Sequence, residues 1–406
     1  MHKETKINVL ILFRSYGYIV FLYIYSLAYY LVFQSPFNLS TFKQCLSQMV
    51  LNYNNKWDKI SVYILTFPRK LNFDLMSDCP ILTDVTHEEG QYYGYVQLYL
   101  QFINYPYLVS NISKASIIFL PFFWTYFIIH HDRPHLQLFL RFFRSLSVRY
   151  FRDDQIIFVP HMHINDDDLL KMQIDKCKKC VFGILNTHKI YSEIVLPYYT
   201  GFPQFPPLIA EQMSIKRDLF FVCIMGVDKN QHRIALYKTL NDYISKNSQD
   251  KSILINLNKL PSLKVKSEVL GQLPYYYSRS IFNIVPIGHV STSKRFYDAI
   301  TYGSIPVVYA PEYEFAFSDF INYSEFVIYI HPNRVEDIPS ILLNYSKQPN
   351  LIKKMQNAAK NAAKKFKWHS EIPIPGEGLD TLLKQLKYHY IDKKPSIQEN
   401  IPFQYK

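Results

Sequence analysis

Residues 278–330 read SRSIFNIVPIGHVSTSKRFYDAITYGSIPVVYAPEYEFAFSDFINYSEFVIYI. The apolar run from Ile281 to Ile287 has the length of a buried strand and stops at Gly288. A polar loop, His289 to Ser293, leads into a helical pattern that carries Arg295 and Asp298. Gly303 closes that helix, and a second apolar run, Ile305 to Ala310, follows. Strand, glycine-containing loop, helix and strand in this order place free main-chain N–H groups and the positive end of a helix dipole at the carboxyl edge of a sheet. A diphosphate fits there. Arg295, in the first turn, adds a fixed charge and a fork of donors. Asp298, three residues on, shares its helix face, and a carboxylate accepts hydrogen bonds from a pair of ribose hydroxyls. The bland alternative for Arg295 and Asp298 is a surface salt bridge. Lys294 is expected in solvent. Ser291 is open to two roles, helix cap or phosphate contact.

The pieces fall in a recognisable order. S-x-S-x-F at Ser278, Ser280 and Phe282 precedes P-x-G at Pro286 and Gly288. S-x-R-x-x-D-A at Ser293, Arg295, Asp298 and Ala299 follows, then G-x-I-P-V from Gly303 to Val307. Together these resemble the carboxyl-terminal half of exostosin-like glycosyltransferases. The resemblance extends from about Lys59 to Phe366 through Ser61–Leu75, Ser113–Phe127, Arg152–His163, Ser192–Gly201 and Lys216–Gly226. It implies an α/β fold of two Rossmann-like domains facing across a cleft (the GT-B type). It also implies a UDP-sugar donor, a glycan or glycoprotein acceptor, inverting transfer, and neither a metal nor a cofactor. Nucleotide-sugar binding then falls to Arg233, Gly288, Ser291, Ser293, Arg295 and Asp298. Arg233 would neutralise the departing diphosphate; a solvated helix arginine is the alternative. His161 matches the histidine of the family's His-Asp pair and is the first candidate for the general base, with Asp132 the second. Two positions depart from the pattern: Met162 stands where the family has aspartate, and Ala316 where it has proline.

The chain of 406 residues, 49% hydrophobic, is long for one core and ample for two. Its formal charge of +12 is spread along the sequence, without a motif that reads RNA or DNA, so the anionic partners implied are nucleotide sugars and not nucleic acid. Ser15 to Phe33 is uncharged and, at about 1.5 Å per residue, nearly spans a hydrocarbon core of roughly 30 Å. Lys3, Lys6 and Arg14 precede it, so the positive-inside rule leaves residues 1–14 cytosolic and the rest lumenal. A cleaved signal peptide would need a small-residue site soon after Phe33, and none is there. The expectation is a type II anchor in the Golgi or ER membrane. Later apolar runs are too short to span, which removes a transporter. Sequons occur at Asn38, Asn111, Asn322 and Asn344. Cys177-x-x-Cys180 lacks the second pair that a zinc site needs, which leaves a disulfide or ordinary thiols.

The expected organisation is a stem over 34–57, a first Rossmann-like acceptor domain over 58–207, a second, nucleotide-sugar domain over 208–370, and a tail over 371–406. Helices are expected over Gly94–Leu108, His135–Tyr150, His232–Ser245 and Leu351–Phe366. Strands are expected at Val62–Leu65, Ile156–Pro160, Leu219–Gly226 and Ser252–Leu257. Asp166, Asp167 and Asp168 read as a solvated turn and not as a metal triplet. A second functional class stays open: a fold relative without catalysis that serves as partner subunit to an active transferase, in a homo- or hetero-oligomer.

Overall fold

The structure is a computed structural model. It describes residues 57–65, 94–121, 134, 137, 151–161, 180–185, 193–200, 216–227, 230–288, 292–368, 373–393 and 404–405. The stretch Ser15–Phe33 lies outside them; among the described residues no helix is long and apolar enough to cross a membrane.

Among the described residues, two wholly parallel sheets organise the fold. The first has, among those residues, five strands: β1 (Val62–Ile64), β2 (Ile117–Phe119), β3 (Ile156–His161), β4 (Cys180–Ile184) and β5 (Glu193–Val195), side by side in chain order. Helix α1 (Gly94–Ile103) precedes β2. The second sheet contains β6 (Leu219–Met225), β7 (Ile253–Asn256), β8 (Ser280–Pro286), β9 (Ile305–Tyr309), β10 (Ile328–Ile330) and β11 (Gln404–Tyr405). Its spatial order is β11-β10-β9-β8-β6-β7. Every residue of β6 and β9 is buried, as expected of strands covered on both faces. Within β8 the side chains split between faces: Phe282 and Ile284 enter one core cluster, Val285 another.

The helices of the second half are α2 (Gln231–Lys246), α3 (Leu263–Gly271), α4 (Leu273–Arg279), α5 (Lys294–Thr301), α6 (Ile338–Ser346), α7 (Pro349–Lys364) and α8 (Gly378–Leu386). The expected two-sheet α/β plan is met, and α2, α5 and α7 fall within a few residues of their expected spans. Helix α1 stops at Ile103 instead of Leu108, because Asn104 turns back to the Leu100 carbonyl and Pro106 follows. The pair α3–α4 has no counterpart among the sequence expectations. Ser262 caps α3 by accepting from the Val265 N–H, but the helix is mostly surface and Leu263 is 83% exposed, so the apolar period is weak. The helix expected over His135–Tyr150 lies outside the described residues, position 137 apart.

A single apolar cluster joins the two sheets. It holds Phe119, Phe158, Leu196 and Tyr198 from the first half, and Val285, Phe296, Tyr297 and Val308 from the second. Tyr198 meets Tyr297 ring to ring at 6.1 Å. The Thr292 hydroxyl donates to the Leu185 carbonyl at 2.6 Å, and the Tyr390 hydroxyl to the Glu193 carbonyl at 3.0 Å. Helix α8 packs on α1. At the second half's end of this seam, Phe296 lies within 5.1–6.0 Å of the rings of Tyr297, Tyr313, Phe315 and Tyr323. Truncation there removes buried surface and leaves a cavity among rings that cannot all collapse. Phe296→Ala is expected to cost about 3–5 kcal/mol in urea unfolding; a loss below about 1 kcal/mol would show that the cluster repacks freely.

Candidate functional site

The second sheet changes direction at β6. The chain goes from β6 outward to β7, then crosses over to β8 on the other side of β6 and continues to β9 and β10. In open parallel sheets such a switch point leaves a crevice at the carboxyl ends of the strands, between connections that depart in opposite directions. Here the crevice is visible in the ladder itself. Strands β6 and β8 are paired from Leu219–Ser280 to Val222–Asn283, and each then runs on for three residues, to Met225 and Pro286, beyond the last rung.

Main-chain carbonyls exposed by this splay need donors. Arginines supply them. Arg295 donates from Nε to the Ile224 carbonyl at 2.9 Å. Arg233 donates from Nε to the Ile287 carbonyl at 2.9 Å and from Nη1 to the Gly226 carbonyl at 3.2 Å. Arg233 is buried, so the solvated alternative does not hold. It sits in the first turn of α2, whose amino end is capped by Asn230 accepting from the N–H groups of His232 and Arg233. Two helices, α2 and α5, therefore begin at this edge with arginines in their first turns. Both dipole and formal charge favour an anion there.

Gly288 follows β8 after Ile287 and is half-buried. Ser293 is the residue before α5; its side chain makes no cap, and its N–H lies 3.1 Å from the Tyr313 hydroxyl. Ser291 lies outside the described residues. Asp298 is buried and ion-paired with Lys294, whose ammonium lies 2.8 Å from each carboxylate oxygen. This corrects the expectation of a solvated Lys294, whose side chain is 13% exposed. The spacing i to i+4 carries the signal, and a reading that pairs Asp298 with Arg295 passes over it. Around the pair stand Tyr277 and Tyr302, both phenols pushed up by burial first and by Asp298 second. Cys223, in β6, is a buried free thiol raised to about 12 by burial, against the opposing charge of Arg295.

His161 ends β3 at the carboxyl edge of the first sheet, in register with Ile184. Asp132 and Asp166–Asp168 lie outside the described residues, and among the described residues no cluster of His, Cys, Asp and Glu is arranged to hold a metal. The site residues that sequence reading misses are Lys294, Thr292 and Tyr313.

The family model for the exostosin GT47 domain matches residues 56–345. The chain belongs to the exostosin GT47 family. A curated relative, a probable glucuronosyltransferase named GUT1 from Oryza sativa subsp. japonica, is 25% identical over 108 residues, 27% of this chain and 26% of its own length. The chain thus matches about a quarter of that relative. Among solved structures it is similar to a mutant of Staphylococcus aureus TarM in complex with fondaparinux, α-GlcNAc-glycerol and UDP. There the identity is 10%, the coverage 66% of this chain and 54% of that one, and the TM-score 0.36. A Rickettsia africae glycosyltransferase gives 11% identity, 84% and 100% coverage, and a TM-score of 0.35. Likeness this slight carries no argument about chemistry.

For this exostosin-family chain the geometry makes Arg233 both a structural and an electrostatic group. Arg233→Met would strand the Ile287 and Gly226 carbonyls. It is expected to lower stability by about 1–3 kcal/mol in urea unfolding. Unchanged stability would show that water replaces the guanidinium at no cost.

Proposed function

We propose that the protein is a type II membrane glycosyltransferase of the Golgi or ER lumen that transfers a sugar, with inversion, from a UDP-sugar to a glycan or glycoprotein. The observation that carries this reading is the cationic crevice at the β6/β8 switch point, where Arg233, Arg295 and the start of α5 converge above a buried aspartate. The two charges and the helix dipole stabilise the diphosphate as it departs, the requirement that dominates when the leaving group is anionic. Asp298 accepts from the ribose hydroxyls. The bond from the anomeric carbon to the β-phosphate oxygen breaks, its electron pair leaving with UDP. An acceptor hydroxyl oxygen forms the new bond from the opposite face, and its proton passes to a base on the first sheet, for which His161 is the nominee. In this GT-B reading the acceptor lies over the first sheet.

Lumenal placement draws support from Cys180, which is disulfide-bonded, since disulfides persist in oxidising compartments. The anchor is the uncharged stretch Ser15–Phe33. The name of the plant relative puts UDP-glucuronic acid on the panel of donors. Met162, in place of the family's aspartate, favours the second reading, a non-catalytic partner subunit in a homo- or hetero-oligomer.

Calorimetry of the detergent-solubilised full chain with UDP and a panel of UDP-sugars tests the donor site. Wild-type protein is expected to bind. Arg295→Ala is expected to lose about 10–100-fold, the worth of a charged hydrogen bond, and Asp298→Asn to lose binding with the fold intact. Equal affinity in Asp298→Asn sinks the assignment of ribose to this carboxylate. Binding without transfer to any acceptor selects the partner-subunit reading.

A further inference from the structure

The sequon Asn111-Ile112-Ser113 lies in the turn that leads into β2. Asn111 has extended main chain, with φ −115° and ψ 120°. Its Oδ1 accepts from the Ser113 N–H at 2.9 Å and from the Ser113 hydroxyl at 2.8 Å. Two donors on one atom identify it as the oxygen of the carboxamide, so Nδ2 is the end turned away from Ser113. Nδ2 has no hydrogen-bond partner among the described residues, and Asn111, Ser113 and Lys114 are all exposed. The main chain of the sequon is held by other groups. The Asn111 carbonyl accepts from the Lys114 N–H at 3.0 Å, the Ile112 carbonyl from Gln155 Nε2 at 2.7 Å, and the Ser113 carbonyl from Arg152. The turn is thus anchored while the amide nitrogen stays accessible.

The other sequons are arranged differently. Asn322 donates from Nδ2 to Glu325 Oε1 at 3.1 Å, and Tyr323, between its asparagine and serine, is buried in the aromatic cluster. Asn344 lies within α6, where the Ser346 hydroxyl donates to the Leu343 carbonyl at 2.9 Å. Asn38 is outside the described residues. The two bonds from Ser113 to Asn111 span two residues, so they can form in a chain that has not yet folded, and the finished fold leaves space at Nδ2. We propose that Asn111 is an N-glycosylation site, modified on Nδ2 by an oligosaccharide that a host transferase takes from a lipid diphosphate. The inference rests on the lumenal placement proposed above. The bond from the anomeric carbon to the diphosphate oxygen breaks, and its electron pair leaves with the lipid diphosphate. The same carbon bonds to Nδ2, which gives up one proton to a base of the host transferase. Ser116, between the sequon and β2, donates from its N–H to the Ser61 carbonyl just before β1, so the sequon stands at the amino edge of the first sheet. His161 ends β3 at the opposite edge, roughly 16 Å away along the strand at about 3.3 Å per residue. The glycan therefore grows from the edge opposite the one that carries His161.

The test uses the full chain, with a carboxyl-terminal tag that carries its own N-x-T sequon, made in eukaryotic secretory cells. A peptide-N-glycosidase removes the glycans and converts each glycosylated asparagine to aspartate, which peptide mass spectrometry reads against an untreated sample. Conversion is expected both at Asn111 and in the tag. Ser113→Ala keeps Asn111 and its bond from the Ser113 N–H, and is expected to lose one glycan step in gel mobility. Ser113→Thr retains the hydroxyl and should restore that step. An unconverted Asn111 beside a converted tag overturns the proposal and leaves the lumenal placement standing. An unconverted tag and an unconverted Asn111 overturn both. The wild-type peptide decides the matter whether or not the variants fold.

Discussion

Strands and helices that end inside a protein leave carbonyl groups without a partner in their own ladder, and this chain meets that constraint with arginine. At the amino end of the second sheet Arg217 donates to the carbonyls of Tyr277, Ser280 and Tyr302 at 3.1, 2.6 and 2.9 Å. Burial lowers its guanidinium to about 10, still charged at neutral pH. At the carboxyl end Arg233 and Arg295 do the same for Ile287, Gly226 and Ile224. The fork of donors on a rigid plane suits this task better than a lysine would. Because these arginines are needed to close the fold, positive charge collects at the crevice between β6 and β8, and architecture and local charge have one cause.

Helix α5 shows the same double use. Of its eight residues, Lys294, Arg295 and Asp298 carry charge to the crevice, while Phe296 and Tyr297 enter the aromatic cluster that reaches the first sheet. Just before it, the Thr292 hydroxyl donates to the Leu185 carbonyl. The charged groups of α5 are therefore positioned by contacts that cross from one half to the other. The aromatic residues that raise the composition to 17% are concentrated, in part, at this seam.

How much of this is legible in the sequence depends on whether an interaction leaves a periodic trace. Strands β6, β8 and β9 and helices α2, α5 and α7 announce themselves by apolar runs and by Gly288 and Gly303; Gly303 indeed takes a positive φ of 74°. Arg295 and Asp298 stand out because their spacing fits a helix face. The roles of Arg217 and Arg233 cannot be read, since a side chain bonded to distant main-chain carbonyls imposes no pattern on its neighbours. The α3–α4 pair is invisible because its exposed apolar residues break the helical period. Strand β4 is hidden because the Cys177-x-x-Cys180 spacing points to metal and redox chemistry instead of the strand that Cys180 begins.

The carboxyl-terminal segment has a mechanical consequence. After α7 the chain leaves the second sheet, lays α8 on α1 of the first half, and returns to add β11 in parallel beside β10. Its α8 is fastened to one half and its β11 to the other, so opening of the halves works against both contacts. Wide hinge excursions are thereby discouraged, because parting the halves would cost the α8–α1 packing and the β10–β11 pairing together.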